Sequence, residues 1–374
     1  MRQEKRLNGD LMIQGKKILL VSDFHVNVYV WRKEIIDKLR KEHNDVALAV
    51  PYGEKLNYFK EIGCTLFDIE MDRYSLGILS NFRLLIRYRK ILRDYKPDVV
   101  LLYGTKGMLY TGLLCRLMKI QYITNINGLG TFESMGFPVK TIIFFLYKLV
   151  VPRAVCAFFQ NENNMKLFSE MKMVGQNNRL IPGSGVNLDV FNILPFPKDE
   201  KVRFLFCARL TYEKGLYEFL EAAKYVKESG VNAAFDVVGM GDDKVIEDVG
   251  KYRDYVDYHG FQYDVRPFIE KAQCVVLPSF YGEGISNSLL ESASSGRAII
   301  TTDMPGCRET VITNVTGYII RPRDAKMLSE AMQKFCSLPY AKRKEMGIQG
   351  REYVAKKYDR MTVVQAYMEE INKL

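Results

Sequence analysis

The chain has 374 residues, 48% of them apolar and 26% charged, with a formal net charge of +10. That is long enough for two domains with separate cores, and too evenly mixed for a disordered polyelectrolyte or a membrane-embedded bundle. Seven cysteines are scattered singly with no C-x-x-C, which argues against a disulfide framework or a zinc site and for a reducing, cytoplasmic compartment.

Residues 1–16 carry no hydrophobic run of signal-peptide length and read as a disordered lead-in. Apolar runs at 18–21, 47–50, 99–102, 122–124 and 155–159, with helical patterns between them, predict a parallel sheet covered by helices over residues 17–190. The whole charge excess falls in residues 1–190, which hold 28 Lys and Arg against 18 Asp and Glu. Within it, SNFRLLIRYRKILRDYK (80–96) predicts an amphipathic helix with Phe82, Leu85 and Ile86 among Arg83, Arg87, Arg89 and Lys90, a composition suited to an anionic membrane surface. The segment FPVKTIIFFLYKLVV (137–151) is apolar, but it is too short to span a bilayer and is interrupted by Lys140 and Lys148; it reads equally well as a buried helix. Peripheral attachment at the inner face of the cell membrane is therefore expected. Nucleic acid is not, because the aromatics lie within apolar stripes and do not alternate with cations. Of the three histidines, His43 sits in a charged turn and His259 at a strand end, whereas His25 follows the first strand at its carboxyl edge, where it is placed to orient an acceptor.

A stretch rich in Pro, Gly and polar residues at 182–201 separates the two halves. Runs at 204–207, 235–238, 275–277 and 298–300 predict a second parallel sheet within 191–358, and residues 359–374 a helix that crosses back to the first domain. Arg209 and Lys214 lie between an apolar strand (202–207) and an amphipathic helix (215–226), so two cations and helix amides meet at the carboxyl edge of the sheet, a setting for a dianionic diphosphate. The segment YGEGISNSLLESASSG (281–296) follows another apolar strand and opens a helix near Ile285 or Ser286, which places Glu283 just before the helix and Glu291 nearly two turns in. Free amides at Ser286, Asn287 and Ser288 favour phosphate. Two carboxylates beside them suit the vicinal hydroxyls of a ribose or a hexose, since an ionised carboxylate only accepts hydrogen bonds.

The pattern Glu283, Gly284, Glu291, Ala293, Gly296, followed by RAIITTDMPGCRETV, resembles the donor-site signature of retaining family 4 glycosyltransferases of the GT-B fold. FCARLTYEKG (206–215) is similar to the diphosphate segment of that family. IPGSGVNLDVF (181–191), VVGMGD (237–242) and GFQYD (260–264) match in family order. The resemblance implies an α/β protein of two Rossmann-like domains with parallel sheets facing across a cleft. It also implies a nucleotide sugar, UDP-linked, as donor, with no cofactor and no metal. Arg209, Lys214 and Glu283 would act at the reacting centre, with Gly241, Phe261, Ser286, Asn287 and Glu291 holding the donor. Reaction would be on the front face, the leaving diphosphate deprotonating the acceptor.

The first half departs from the family pattern: Thr105 and Lys106 stand where a His is usual, and SDFHVNVYVWR (22–32) replaces the usual Gly-Gly. TKGMLYTG and NGLGTFESMGF (127–137) instead resemble bacterial transferases that extend polyprenyl-diphosphate-linked sugars in capsule, lipopolysaccharide and N-glycan synthesis. On that likeness Lys106, Arg32, Asn127 and Gly128 join His25 as candidates for contact with a lipid-linked saccharide acceptor. The competing readings are a UDP-sugar 2-epimerase, which would turn over without acceptor, a transferase to a soluble acceptor, and a noncatalytic sugar- or membrane-binding module.

Overall fold

A computed structural model describes residues 15–71, 77–127, 136–199, 201–282 and 284–374; the expected lead-in falls almost wholly outside them. The chain forms two compact units, one reaching to Ser184 and rejoined by Met361–Leu374, the other Gly185–Arg360.

In the first unit, seven parallel strands, β1 (Lys17–Val21), β2 (Asp45–Val50), β3 (Thr65–Asp68), β4 (Val99–Leu102), β5 (Gln121–Ile126), β6 (Cys156–Phe159) and β7 (Asn178–Leu180), lie in the order β3-β2-β1-β4-β5-β6-β7. Successive residues of β1 feed opposite faces: Ile18 and Leu20 enter a core with the helix Lys33–Lys41 and the C-terminal helix Arg360–Asn372, Leu19 and Val21 a core with the helices Ile78–Tyr95, Thr105–Met118 and Phe137–Val150. Both faces are covered, which is why these strands read as continuous apolar runs.

The second unit repeats the plan with six strands, β8 (Val202–Cys207), β9 (Ala233–Val238), β10 (Asp257–Tyr258), β11 (Cys274–Leu277), β12 (Ala298–Thr302) and β13 (Gly317–Ile320), in the order β10-β9-β8-β11-β12-β13. The expected change of domain at residue 190 comes earlier, and two arginines, one buried and one partly buried, explain why. Arg297, fully buried, donates to the carbonyls of Leu194 and Pro195 as well as Ile269 and Glu270. Arg351 donates to those of Leu188 and Phe191. The stretch after Gly185 is thereby fastened to the second unit. In each sheet the strand order reverses between a central pair, β1 and β4 or β8 and β11, and the loops leaving those strands open a crevice at the carboxyl edge.

Candidate functional site

The loops after β8 and β11 flank the switch point of the second sheet and are bound to each other. The Phe280 N-H and the Ser279 hydroxyl both donate to the Glu213 carbonyl, at 3.0 and 3.1 Å. Gly215, with φ of +74°, lies so close that a Cβ there would come within 2.1 Å of the Pro278 carbonyl oxygen. Only glycine permits this approach. It brings the loop with Arg209 and Lys214 beside the turn that opens the helix Asn287–Ser294.

Arg209 is exposed and bonds no carboxylate among the described residues. Lys214 lies 5.8 Å from the centre of the Tyr281 ring. The Leu210 N-H donates to the Met240 carbonyl at 2.9 Å, which sets Gly241 against the Arg209 loop. Phe261, after β10, is half exposed with its ring edge-on to Tyr263 at 4.8 Å. His259 is tied to Asp236, which also pairs with Arg203 at 2.7 Å, and serves the sheet.

The helix begins at Asn287, one or two residues later than the sequence suggests. Glu291 is therefore its fifth residue, little more than one turn in, and Ser286 is the residue preceding it. The Ser286 amide, expected to be free, donates instead to the Gly306 carbonyl at 2.8 Å, and Ser286 is buried. The amides of Asn287 and Ser288 remain as first-turn donors, with no helical carbonyl one turn behind them. The Asn287 side-chain oxygen is sealed from solvent with no partner. Glu291 is partly buried, its carboxylate accepts no hydrogen bond from a described residue, and burial pushes its pKa up to about 7 against a smaller opposing effect of Arg360. Glu283 lies outside the described residues.

In the first unit the β1 and β4 loops meet in the same way. Asp23, buried at the end of β1, accepts the Gly107 amide at 2.7 Å and the Lys106 amide at 3.1 Å. The first turn of the helix Thr105–Met118 is thus already capped by a carboxylate, so Lys106 would reach a ligand through its side chain alone. No local signal marks Asp23; its role follows from the pairing of β1 with β4. Asp23→Ala should cost about 1–2 kcal/mol of stability, read from a urea midpoint at unchanged slope. His25 packs on Gly53, its Nδ1 is buried without a partner, and burial lowers its pKa, which keeps the ring neutral at pH 7. Arg32 is buried with its guanidinium 4.4 Å from the Tyr103 ring centre. Asn127 is exposed and accepts from Gln160 at 2.7 Å, while Gly128 lies outside the described residues.

Comparison with known proteins gives a consistent result. A model described as glycosyl transferase 4-like matches residues 17–161, and one described as glycosyl transferases group 1 matches residues 201–337. The chain is 28% identical over 338 residues to the N,N'-diacetylbacillosaminyl-diphospho-undecaprenol alpha-1,3-N-acetylgalactosaminyltransferase of Campylobacter jejuni, covering 84% of this chain and 88% of that protein. It is 24% identical over 318 residues to the UDP-Gal:alpha-D-GlcNAc-diphosphoundecaprenol alpha-1,3-galactosyltransferase of Escherichia coli, covering 79% and 80%. Among solved structures, Anabaena Alr3699/HepE in complex with UDP and glucose superposes with a TM-score of 0.78 at 14% identity, covering 96% of this chain and all of that one. A sucrose-phosphate synthase from Thermosynechococcus elongatus gives a TM-score of 0.74 at 16% identity, with 96% and 100% covered.

Proposed function

Since the chain belongs to glycosyltransferase family 4 and has the GT-B fold, we propose that it is a retaining, metal-independent transferase that moves a hexosyl or N-acetylhexosaminyl group from a UDP-sugar to a polyprenyl-diphosphate-linked saccharide in cell-surface polysaccharide or glycan synthesis. The observation that carries this reading is the union of the β8 and β11 loops. It joins the loop that carries Arg209 and Lys214 to the turn that opens the helix with the Asn287 and Ser288 amides and Glu291, which supports reading them as one donor site.

In this reading Arg209 and Lys214 take the charge that develops on the diphosphate as the glycosidic bond breaks, aided by the Asn287 and Ser288 amides. Glu291 accepts from the ribose hydroxyls, and Glu283 grips the sugar. Gly241 and Phe261 line the nucleotide end. The acceptor hydroxyl attacks the face that the diphosphate leaves and gives its proton to a departing phosphate oxygen. Neutral His25 and the Lys106 side chain orient the acceptor. Incubation with a panel of UDP-sugars tests the proposal: UDP release should depend on an undecaprenyl-diphosphate-linked saccharide. Conversion of the donor without acceptor would favour an epimerase, and UDP binding with no turnover a noncatalytic module.

Peripheral attachment to an anionic membrane has its own support. The helix Ile78–Tyr95 leaves Leu79, Phe82 and Ile86 exposed at spacings of three and four, between Arg83, Arg87 and Lys90. The neighbouring helices Thr105–Met118 and Phe137–Val150 add exposed Leu117, Ile142 and Phe145. Among the described residues no helix is long and apolar enough to cross a membrane. Cosedimentation with vesicles containing phosphatidylglycerol should weaken in salt and fall about tenfold in Phe82→Ser with Ile86→Ser. Indifference to lipid charge would remove this part of the proposal.

A further inference from the structure

Arg32 is 4% exposed, yet no carboxylate among the described residues pairs with it. Among the described residues its side chain makes one hydrogen bond, from Nη1 to the Trp31 carbonyl at 3.2 Å. A guanidinium has five N-H donors in one plane, and taking such a cation out of water without a counter-charge is costly. Its flat face is occupied, because the Tyr103 ring lies against it at 4.4 Å. Stacking of this kind fixes the plane and leaves the edge, the part that matches two phosphate oxygens at once.

The surroundings hold that edge in place. Tyr103 meets Tyr367 at 5.9 Å between ring centres, and the Tyr367 hydroxyl accepts from Asn125 Nδ2 at 2.7 Å. Gln160 Nε2 donates to the side-chain oxygens of Asn125, at 3.0 Å, and of the exposed Asn127, at 2.7 Å. Tyr103, Asn125, Gln160 and Tyr367 are all buried. All four are neutral; Asn125, Gln160 and Tyr367 are bonded to one another and the Tyr103 hydroxyl is buried without a partner, so none of them supplies the missing counter-charge.

We infer that Arg32 is an anion site within the first unit and that it takes the diphosphate of the lipid-linked acceptor, the guanidinium edge gripping its oxygens. This rests on the proposed transfer to a polyprenyl-diphosphate saccharide. It goes further in assigning recognition of the carrier's diphosphate, as distinct from its sugar, to one side chain. Without an anion Arg32 is a nearly buried cation whose remaining N-H donors meet only the little solvent that reaches them; with one it completes a charge pair.

The test compares the full-length protein with Arg32→Gln and Arg32→Lys on two acceptors bearing the same saccharide, one on a polyprenyl diphosphate and one a neutral benzyl glycoside. In Arg32→Gln the ratio of kcat/KM for the charged over the neutral acceptor should fall at least about 30-fold, through KM, with partial recovery in Arg32→Lys. Equal losses on both acceptors, or an unchanged ratio, would overturn the assignment. A second measurement does not depend on turnover: inorganic pyrophosphate is titrated into protein already saturated with UDP, at matched salt. The wild type should show a further binding heat that Arg32→Gln lacks, with a melting temperature equal to the wild type's or above it. Identical titrations would refute the anion site. If no lipid-linked acceptor is used by any variant but the pyrophosphate heat depends on Arg32, the site stands and the proposed acceptor falls.

Discussion

Replacing Arg209 or Lys214 by alanine is expected to lower kcat about a hundredfold or more, with a much smaller change in the affinity for UDP-sugar. The asymmetry follows from where charge appears. On the proposed assignment the ground-state diphosphate already carries its charge beside two helix amides, and one cation fewer is tolerated. As the glycosidic bond breaks, further negative charge gathers on the leaving oxygens, and the remaining donors cannot move in to meet it. Lys214 sits at the end of a short helical turn whose neighbour Gly215 is pressed against Pro278, so the backbone has little freedom to readjust. The double variant should lose less than the product of the two single effects if both cations serve one group. Near-normal turnover in either single variant, measured by UDP release at saturating acceptor, would remove the diphosphate assignment.

The fold was legible where burial acts on both faces of a strand. The cores of β1, β2, β4, β5 and β6, and of β8, β9, β11 and β12, all stand out as apolar runs, because parallel strands between helices have no solvent face. The strands with no apolar run of their own lie at the sheet margins: β3 (TLFD) and β7 (NRL) mix polar with apolar residues, β13 (GYII) opens on a glycine, and β10 (DY), two residues long, shows only as the strand end at His259. Within the candidate site, the cationic loop and the carboxylate helix could be read from local order, since each is a strand, a turn and a helix in sequence. What could not be read is tertiary. The Ser286 amide is consumed by Gly306, twenty positions away, on a loop whose approach depends on β12. Asp23 reaches Gly107 only because β1 and β4 are neighbours across the switch point. Arg32, in a stretch reading VYVWRK, is a candidate acceptor contact by family likeness, but nothing local shows that it is buried against the Tyr103 ring.

Glu291→Gln should make the protein more stable at pH 8 and a poorer binder of UDP. The Glu291 carboxyl is ordinarily near 4.5 and is held at about 7, with burial the larger cause and Arg360 opposing it. Below pH 4.5 the group is protonated both folded and unfolded and contributes no difference. Between 4.5 and 7 the unfolded chain ionises first, so the folded state loses stability as pH rises. Above 7 the full cost is present, on the order of 3 kcal/mol and less to the extent that solvent still reaches the side chain. Glutamine has the same shape and no proton to lose, so the stability gap between variant and wild type should open from pH 4.5 to 7 and then level off, as read from urea midpoints. A gap that is flat with pH, or that closes above 7, would show that Glu291 is not the strained carboxyl. Function runs the other way. Ribose hydroxyls donate to an ionised carboxylate more strongly than to a neutral amide, so UDP binding should favour the ionised form and release a fraction of a proton near pH 6.5. Calorimetry with a UDP-sugar, which has no terminal phosphate titrating in this range, in buffers of different ionisation heat and without acceptor would detect that release in the wild type and none in the glutamine variant. A partly buried carboxylate kept at a cost to stability, and relieved when a polyol docks against it, is what a ribose-binding residue requires; a surface ion pair would show neither behaviour.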